Sequence, residues 1–228
     1  GAVPEGTRLE YRPGCGLTHV NQNGHDWSVV EAGKCDVTIA CMGLSPLLEG
    51  EEGDAILTLE NGDRSGIGLP AVQVEYIKRL AAHGAKIVLV LTGGSPIALG
   101  ELEDLVQAVV FIWYPGQEGG RAVADVLFGK ATPSGKLPVT FPKSIEQLPP
   151  FTDYAIQERT YRYATWEPLY PFGFGLSYTS FAYSNLRLEG NLAYGTLTAR
   201  VLLTNTGATV GEEVAQVYLS DVEASVVV

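Results

Sequence analysis

Cysteine is scarce in this sequence. Cys15, Cys35 and Cys41 are three residues in 228, too few and too unevenly placed for a disulfide framework or a four-ligand structural zinc site. Cys35 and Cys41 are instead expected to be small core residues. Basic residues are also few, 15 against 26 acidic, and the formal charge of −11 repels a generic polyanion. Neither nucleic acid nor an anionic membrane is an expected partner. The longest apolar runs, residues 86–91 and 106–113, fall short of the ~18–20 residues that cross a bilayer. His19, His25 and His83 are scattered without a metal-ligand spacing, so no metal site is expected. No Gly-x-Ser-x-Gly nucleophile elbow occurs, which argues against a serine hydrolase.

What remains is a globular composition, 46% hydrophobic and 18% charged, sufficient for one large domain or a medium domain plus part of another. Gly1–Glu5 shows no Lys/Arg-led apolar leader, so the sequence assigns no localisation. Val226, Val227 and Val228 stop in an apolar run after an alternating pattern, and both ends are expected to be cut.

The order of the segments predicts the fold class. Asp36–Gly43, Lys86–Leu91 and Ala108–Trp113 are nearly continuous β-branched runs, which suit parallel strands buried on both faces. Between the first two, Leu69-Pro70 opens a helix over Ala71–His83. Val72, Tyr76, Ile77 and Leu80 fall at helical spacing there, and Gly84 closes it. A short amphipathic stretch, Ile97–Leu105, leads to the third strand, and Arg121–Phe128 reads as a helix with Gly129 past its end. Strands alternating with helices make an α/β protein, a mostly parallel sheet covered by helices on both faces. After Phe181 the pattern turns alternating and helix-free. Leu186 and Leu188, then Leu197–Leu203, then Val214, Val217 and Leu219 are expected strands of an all-β immunoglobulin-like sandwich that is only begun.

Three loops leave the predicted strand ends, where ligands of open α/β sheets gather. The first carries Glu49, Glu51, Glu52 and Asp54, four carboxylates in close succession. Crowding like charges raises the pKa of at least one, and a carboxyl protonated near neutral pH can donate to a leaving group. Solvated acidic surface is the competing reading of the same residues. The second loop, Thr92–Pro96, has neither a dinucleotide fingerprint nor a P-loop lysine and reads as a tight strand-exit turn. The third, Tyr114–Gly120, offers an aromatic face and polar groups that suit a sugar, although Glu118 also has the position of a helix cap.

Taken in order, the motifs carry a resemblance. Leu69-Pro70, Gly94-Ser95-Pro96, Trp113–Gly120, Ala124–Gly129, Pro133–Pro142 and Tyr170–Tyr178 occur in one register and closely resemble the C-terminal α/β-sandwich domain of glycoside hydrolase family 3, the β-glucosidases and β-xylosidases. The likeness gives residues 1–178 as this domain, truncated at its N-terminus. It gives residues 179–228 as the start of a fibronectin type III-like domain.

The resemblance implies half of an active site. In the family a (β/α)8 barrel supplies the nucleophilic aspartate, and many members take the general acid/base glutamate from the loop after an early strand of this domain, in a pattern like Glu-x-Glu-Gly. Aligned without gaps, that glutamate is Glu51. Position 52 is glutamate where many relatives have glycine, so a shift of one residue makes it Glu52, and Glu49 is a third choice. Glu49, Asp54, Tyr114 and Glu118 are expected to contact substrate, an oligosaccharide or aryl glycoside. The implied chemistry is retaining exo-hydrolysis by a β-xylosidase or β-glucosidase, with the barrel as partner and the isolated chain inactive. The alternative is a non-catalytic carbohydrate-binding or scaffolding module.

Overall fold

A computed structural model of the chain describes residues 3–19, 26–50, 57, 64–191 and 195–224. The chain forms two compact units. The first comprises Val3–Arg121 and Val139–Phe172, the second Ala122–Pro138 and Gly173–Val228.

The first unit is built on a parallel sheet. Helix α1 (Trp27–Ala32) precedes strand β1 (Thr38–Gly43), the one-turn helix α2 (Pro46–Glu49), helix α3 (Ala71–Ala82), strand β2 (Ile87–Thr92) and strand β3 (Ala108–Phe111). The sheet order is β1-β2-β3, with Thr38 beside Ile87 and Val88 beside Ala108. Parallel neighbours require crossover connections, and α3 lies in the first of them. Between β2 and β3 the amphipathic stretch holds a single turn, Gly100–Leu102. Helix α4 (Gly119–Leu127) follows β3, with Gly129 at φ +71° just beyond it, and a short α5 (Thr160–Tyr163) comes later. The three strands, α3 and α4 lie within two residues of their predicted bounds, while α1, α2 and α5 are short helices that the spacing did not predict.

The central strand explains where the core sits. Ile87, Leu89 and Leu91 of β2 are buried in one core with Val29 of α1, Tyr76, Ile77 and Leu80 of α3, and Ile97 and Leu102 of the connection, and Val90 is buried as well. Each such aliphatic side chain contributes about 1.5–3 kcal/mol by leaving water. Phe141, returning from the later part of the unit, stands edge-on to Phe111 and Trp113 at 5.3 and 6.3 Å between ring centroids.

The edge strand departs from expectation. In β1 only Ala40 and Gly43 are buried, while Ile39 and Cys41 are exposed on the alternate positions. Cys35, just before β1, is exposed as well. The reading of Cys35 and Cys41 as core residues is therefore overturned. A β-branched run says that a strand forms, but the faces are buried only where other elements pack above and below, which the pattern of buried positions shows for β2 and not for β1.

In the second unit, β4 (Phe181–Asn191) and β5 (Thr196–Asn205) pair antiparallel, Phe181 opposite Asn205 and Asn191 opposite Thr196. The register shifts between Ser184 and Arg187, where Asn185 adopts φ +55°. The Leu137 and Gly173 amides donate to the Phe174 and Leu137 carbonyls, each at 2.8 Å, and Tyr178 donates its hydroxyl to the Val126 carbonyl at 3.0 Å. Lys136 donates to the Gly175 carbonyl at 2.7 Å and lies 3.5 Å from Glu213. The motif residues of 133–138 and 173–178 thus hold one another. The alternating stretch Val214–Leu219, expected to be a strand, joins no ladder among the described residues. Those residues establish one hairpin in this unit.

Candidate active site

Because the three strands run the same way, Gly43, Thr92 and Phe111 bring their exits to one edge of the sheet. This is the edge beyond which ligands of open α/β folds are held. Gly43 sits there at φ +133°, where a Cβ would stand 2.1 Å from the Thr92 carbonyl oxygen, so the close approach of β1 and β2 requires glycine. Its peptide groups are fixed from α3. Gln73, 2% exposed, accepts the Gly43 amide at 2.8 Å and donates to the Gly43 and Leu17 carbonyls at 2.7 and 3.1 Å.

From this anchored exit, Ser45 and Pro46 start α2. Proline at the first helical position sacrifices no hydrogen bond, and the extended Gly50 ends the turn. Leu48 is buried in the core, and Glu49 meets the other two exit loops. Its Oε1 accepts from Arg64 Nη1 at 3.1 Å and from the Ser95 hydroxyl, and its Oε2 accepts from the Gly94 amide at 2.7 Å and from the Tyr114 hydroxyl. An ionised carboxylate has about four acceptor directions, and four donors occupy them.

Arg64 is engaged just as fully. It donates to Ser95 Oγ at 2.8 Å, to the Pro96 carbonyl at 3.5 Å and to the Gly68 carbonyl at 3.0 Å, besides Glu49. The two side chains are 14% and 10% exposed. A largely desolvated ion pair survives when its other donors and acceptors find partners, and here Glu49 takes four donors while Nη1 and Nη2 of Arg64 reach three acceptors besides it. The loop 92–96 therefore does cradle an anion, the chain's own Glu49 carboxylate.

Tyr114 reaches Glu49 through an uncommon backbone. The preceding Trp113 has φ +53°, which costs a non-glycine residue of order 1–3 kcal/mol. Its ring lies edge-on to Phe111 at 4.7 Å, a contact that helps hold the turn.

The electrostatics follow from these contacts. Burial pushes the Glu49 carboxyl up. The hydroxyls of Ser95 and Tyr114, the Gly94 amide and the Arg64 charge outweigh burial, and the net shift is downward. Burial and the adjacent carboxylate drive the Tyr114 hydroxyl well above its ordinary value, so it remains a donor. Glu49 is thus an ionised acceptor with no proton to give.

The remaining expected site residues divide sharply. Glu51, Glu52 and Asp54 lie outside the described residues. Tyr114 is 42% exposed, with its hydroxyl on Glu49 and part of its ring open. Glu118 has a side chain 72% exposed and 3.8 Å from Arg121 one turn along. Sequence reasoning did not single out Arg64 or Gln73. Arg64 left one signal: it is the sole Lys or Arg between Lys34 and Lys78, inside an acidic stretch. Gln73 left another, a polar residue in step with Tyr76 and Leu80 on the buried face of α3. Among the described residues no group of His, Cys, Asp and Glu could hold a metal ion, and no helix is long and apolar enough to cross a membrane.

Three exit loops converge on one carboxylate at the strand C-termini of a parallel α/β domain. Residues 10–178 match the model of the glycosyl hydrolase family 3 C-terminal domain, and the chain belongs to this family. It is 45% identical over 186 residues to a xylan 1,4-beta-xylosidase of Xylanibacter ruminicola, covering 81% of this chain and 22% of that protein. It is 40% identical over 214 residues to a periplasmic beta-glucosidase of Salmonella typhimurium, covering 88% of this chain and 27% of that one. Among solved structures it resembles a beta-glucosidase of Listeria innocua in complex with isofagomine. The TM-score is 0.73 at 32% identity, over 92% of this chain and 30% of that one. These relatives are glycoside hydrolases, and the chain spans between a fifth and a third of their length.

Proposed function

We propose that the chain is part of a retaining exo-acting β-glycosidase of the β-xylosidase or β-glucosidase type, and that its first exit loop supplies the general acid/base. The observation that carries this reading is the family match over residues 10–178, with a xylosidase and a glucosidase both among the relatives. A nucleophilic aspartate on a (β/α)8 barrel elsewhere in the protein attacks the anomeric carbon, about 5–5.5 Å from the acid. Glu51 protonates the leaving oxygen and then, as carboxylate, activates the water that releases the sugar. Proton transfer and nucleophilic attack suffice, and no cofactor enters.

The state of Glu49 supports this assignment by elimination. An acid must hold a proton near working pH, and Glu49 is held ionised by four donors. That leaves Glu51 first and Glu52 second. Saturation likewise leaves Glu49 no acceptor for a sugar hydroxyl, so substrate contact falls to Asp54, Glu118 and the open part of the Tyr114 ring. In this reading residues 1–178 are the α/β domain and residues 179–228 begin a fibronectin type III-like domain.

The test uses the full-length gene product and aryl β-xylosides and β-glucosides. Glu51→Ala should lower kcat by ~10²–10⁴-fold, with partial rescue by azide. Full activity in that variant moves the role to Glu52. The isolated 228-residue chain should turn over neither substrate, and turnover there would place the nucleophile within this chain.

A further inference from the structure

We propose that Glu49 and Arg64 are positioning residues, whose ion pair on Gly94, Ser95 and Tyr114 ties together the two ends of segment 50–63 and so fixes where the acid/base loop leaves and rejoins the sheet edge. The proposal deepens the reading above and rests on it for the role of Glu51.

The geometry carries it. Glu49 is the last residue of α2 and Arg64 the first described residue of the returning chain, and their side chains meet at 3.1 Å. Neither floats. Glu49 is held to the β2 exit by Gly94 and Ser95 and to the β3 exit by Tyr114, while Arg64 is held by the Ser95 hydroxyl and the Gly68 and Pro96 carbonyls. A third tie lies between them. The Leu57 amide donates to the Leu47 carbonyl at 3.1 Å, and the Leu57 side chain packs against the core of the first unit. Glu49 and Leu57, the described residues on either side of Glu51 and Glu52 in sequence, are thus each anchored to the first unit. A misplacement of about 1 Å at a reacting group can cost ~10²-fold in rate, so such ties bear directly on kcat. The pair is also specific in chemistry. The guanidinium serves four acceptors in different directions, which a lysine ammonium with three donors on a flexible stem cannot reproduce.

The experiment compares Glu49→Gln, Arg64→Ala and Arg64→Lys in the full-length gene product by two measurements. In hydrogen exchange, peptides covering 50–63 should exchange ~10-fold faster in Glu49→Gln and Arg64→Ala. Peptides covering Ile87–Thr92 should be unchanged, which certifies that the sheet is folded. In kinetics, both variants should lower kcat/KM, which reports the step that forms the glycosyl-enzyme, by ~10–10²-fold on a phenyl glycoside, and lower it far less on a dinitrophenyl glycoside, whose leaving group needs no acid. Arg64→Lys should fall between them and wild type. Wild-type exchange over 50–63, or equal losses on both leaving groups, would overturn the proposal. Full activity in Glu51→Ala would instead remove the acid/base reading, and the exchange data alone would then decide whether the pair ties the segment. Should Arg64→Ala not fold, the same comparison on Arg64→Lys and Tyr114→Phe decides it.

Discussion

The loops after β1 and after β3 leave the same edge of one sheet, and each presents a glutamate that the sequence offers as a sugar ligand. Glu49 is 10% exposed and takes four hydrogen bonds from three different loops. Glu118 is 72% exposed and stands 3.8 Å from one arginine on its own helix. Both are acidic residues in a Gly-containing exit loop, and nothing in local composition separates them. Sheet position does not separate them either, because β1 and β3 are both edge strands beside β2. What separates them is the local path of the chain. The one-turn helix α2 brings Glu49 onto Gly94, Ser95 and Tyr114, whereas Glu118 stands at the start of α4 beside Arg121. The contrast implies that one carboxylate contributes substantially to stability and the other contributes little.

The largest effect should come from deleting Glu49. Glu49→Ala strands the Arg64 guanidinium and three further donors, and breaking a largely buried pair costs about 3–5 kcal/mol. Trp27, Trp113 and Trp166 all belong to the first unit, so tryptophan fluorescence in urea reports that unit alone. A midpoint shift below that of a surface substitution would show that Glu49 and Glu118 are equivalent after all.

Tyr114→Phe removes one donor of the four and keeps the ring. A hydrogen bond to a charged group is worth about 1.5–3 kcal/mol, and the exposure of Tyr114 places the expected loss at the low end of that range. The same urea titration measures it. A loss equal to that of Glu49→Ala would mean that the tyrosine, and not the ion pair, organises the edge.

Acid should distinguish the two glutamates more gently. The folded Glu49 carboxyl titrates below its unfolded value near ~4.3, so its stabilising contribution is complete above that pH and is lost as pH falls through the folded value. Glu49→Gln should flatten the fall in stability below about pH 4.3, though not abolish it, because Glu10, Glu146, Glu158 and Glu167 are also held low by their partners. Glu118→Gln should leave the slope as it is. Identical slopes for the two variants would remove the electrostatic half of the contrast.

Much of the scaffold behind this contrast is legible from sequence, and little of the site is. β1, β2, β3 and α3 announce themselves because β-branched runs and 3.6-residue spacing are local signals. The burial of β1 is not local. It depends on which elements pack above and below, and so Cys35 and Cys41 were assigned to a core that does not cover them. The partners of Glu49 lie 15, 46 and 65 residues away at Arg64, Ser95 and Tyr114, brought together only by the parallel crossovers. Val214–Leu219 shows the converse, an alternating pattern without a ladder. Alternation licenses a strand, but pairing needs a neighbour.

The smallest expected effect is also the most exacting check. Among the described residues Glu118 has one ionic neighbour, Arg121, at the outer limit of an ion pair and in water, where such pairs contribute ~0–1 kcal/mol. Glu118→Gln keeps size and polarity, so the urea midpoint should move by the equivalent of less than ~0.5 kcal/mol, with no change over 50–63 in hydrogen exchange. Kinetics then separate two remaining roles. If Glu118 binds sugar, the full-length variant should raise KM with kcat unchanged, the mark of binding shared by ground and transition states. Unchanged KM and kcat would make Glu118 ordinary solvated surface and leave Glu49 as the exit-loop glutamate that the fold has enlisted. A loss of stability approaching that of Tyr114→Phe would break the comparison from its weaker side, because exposure would then have failed to predict which carboxylate the sheet depends on.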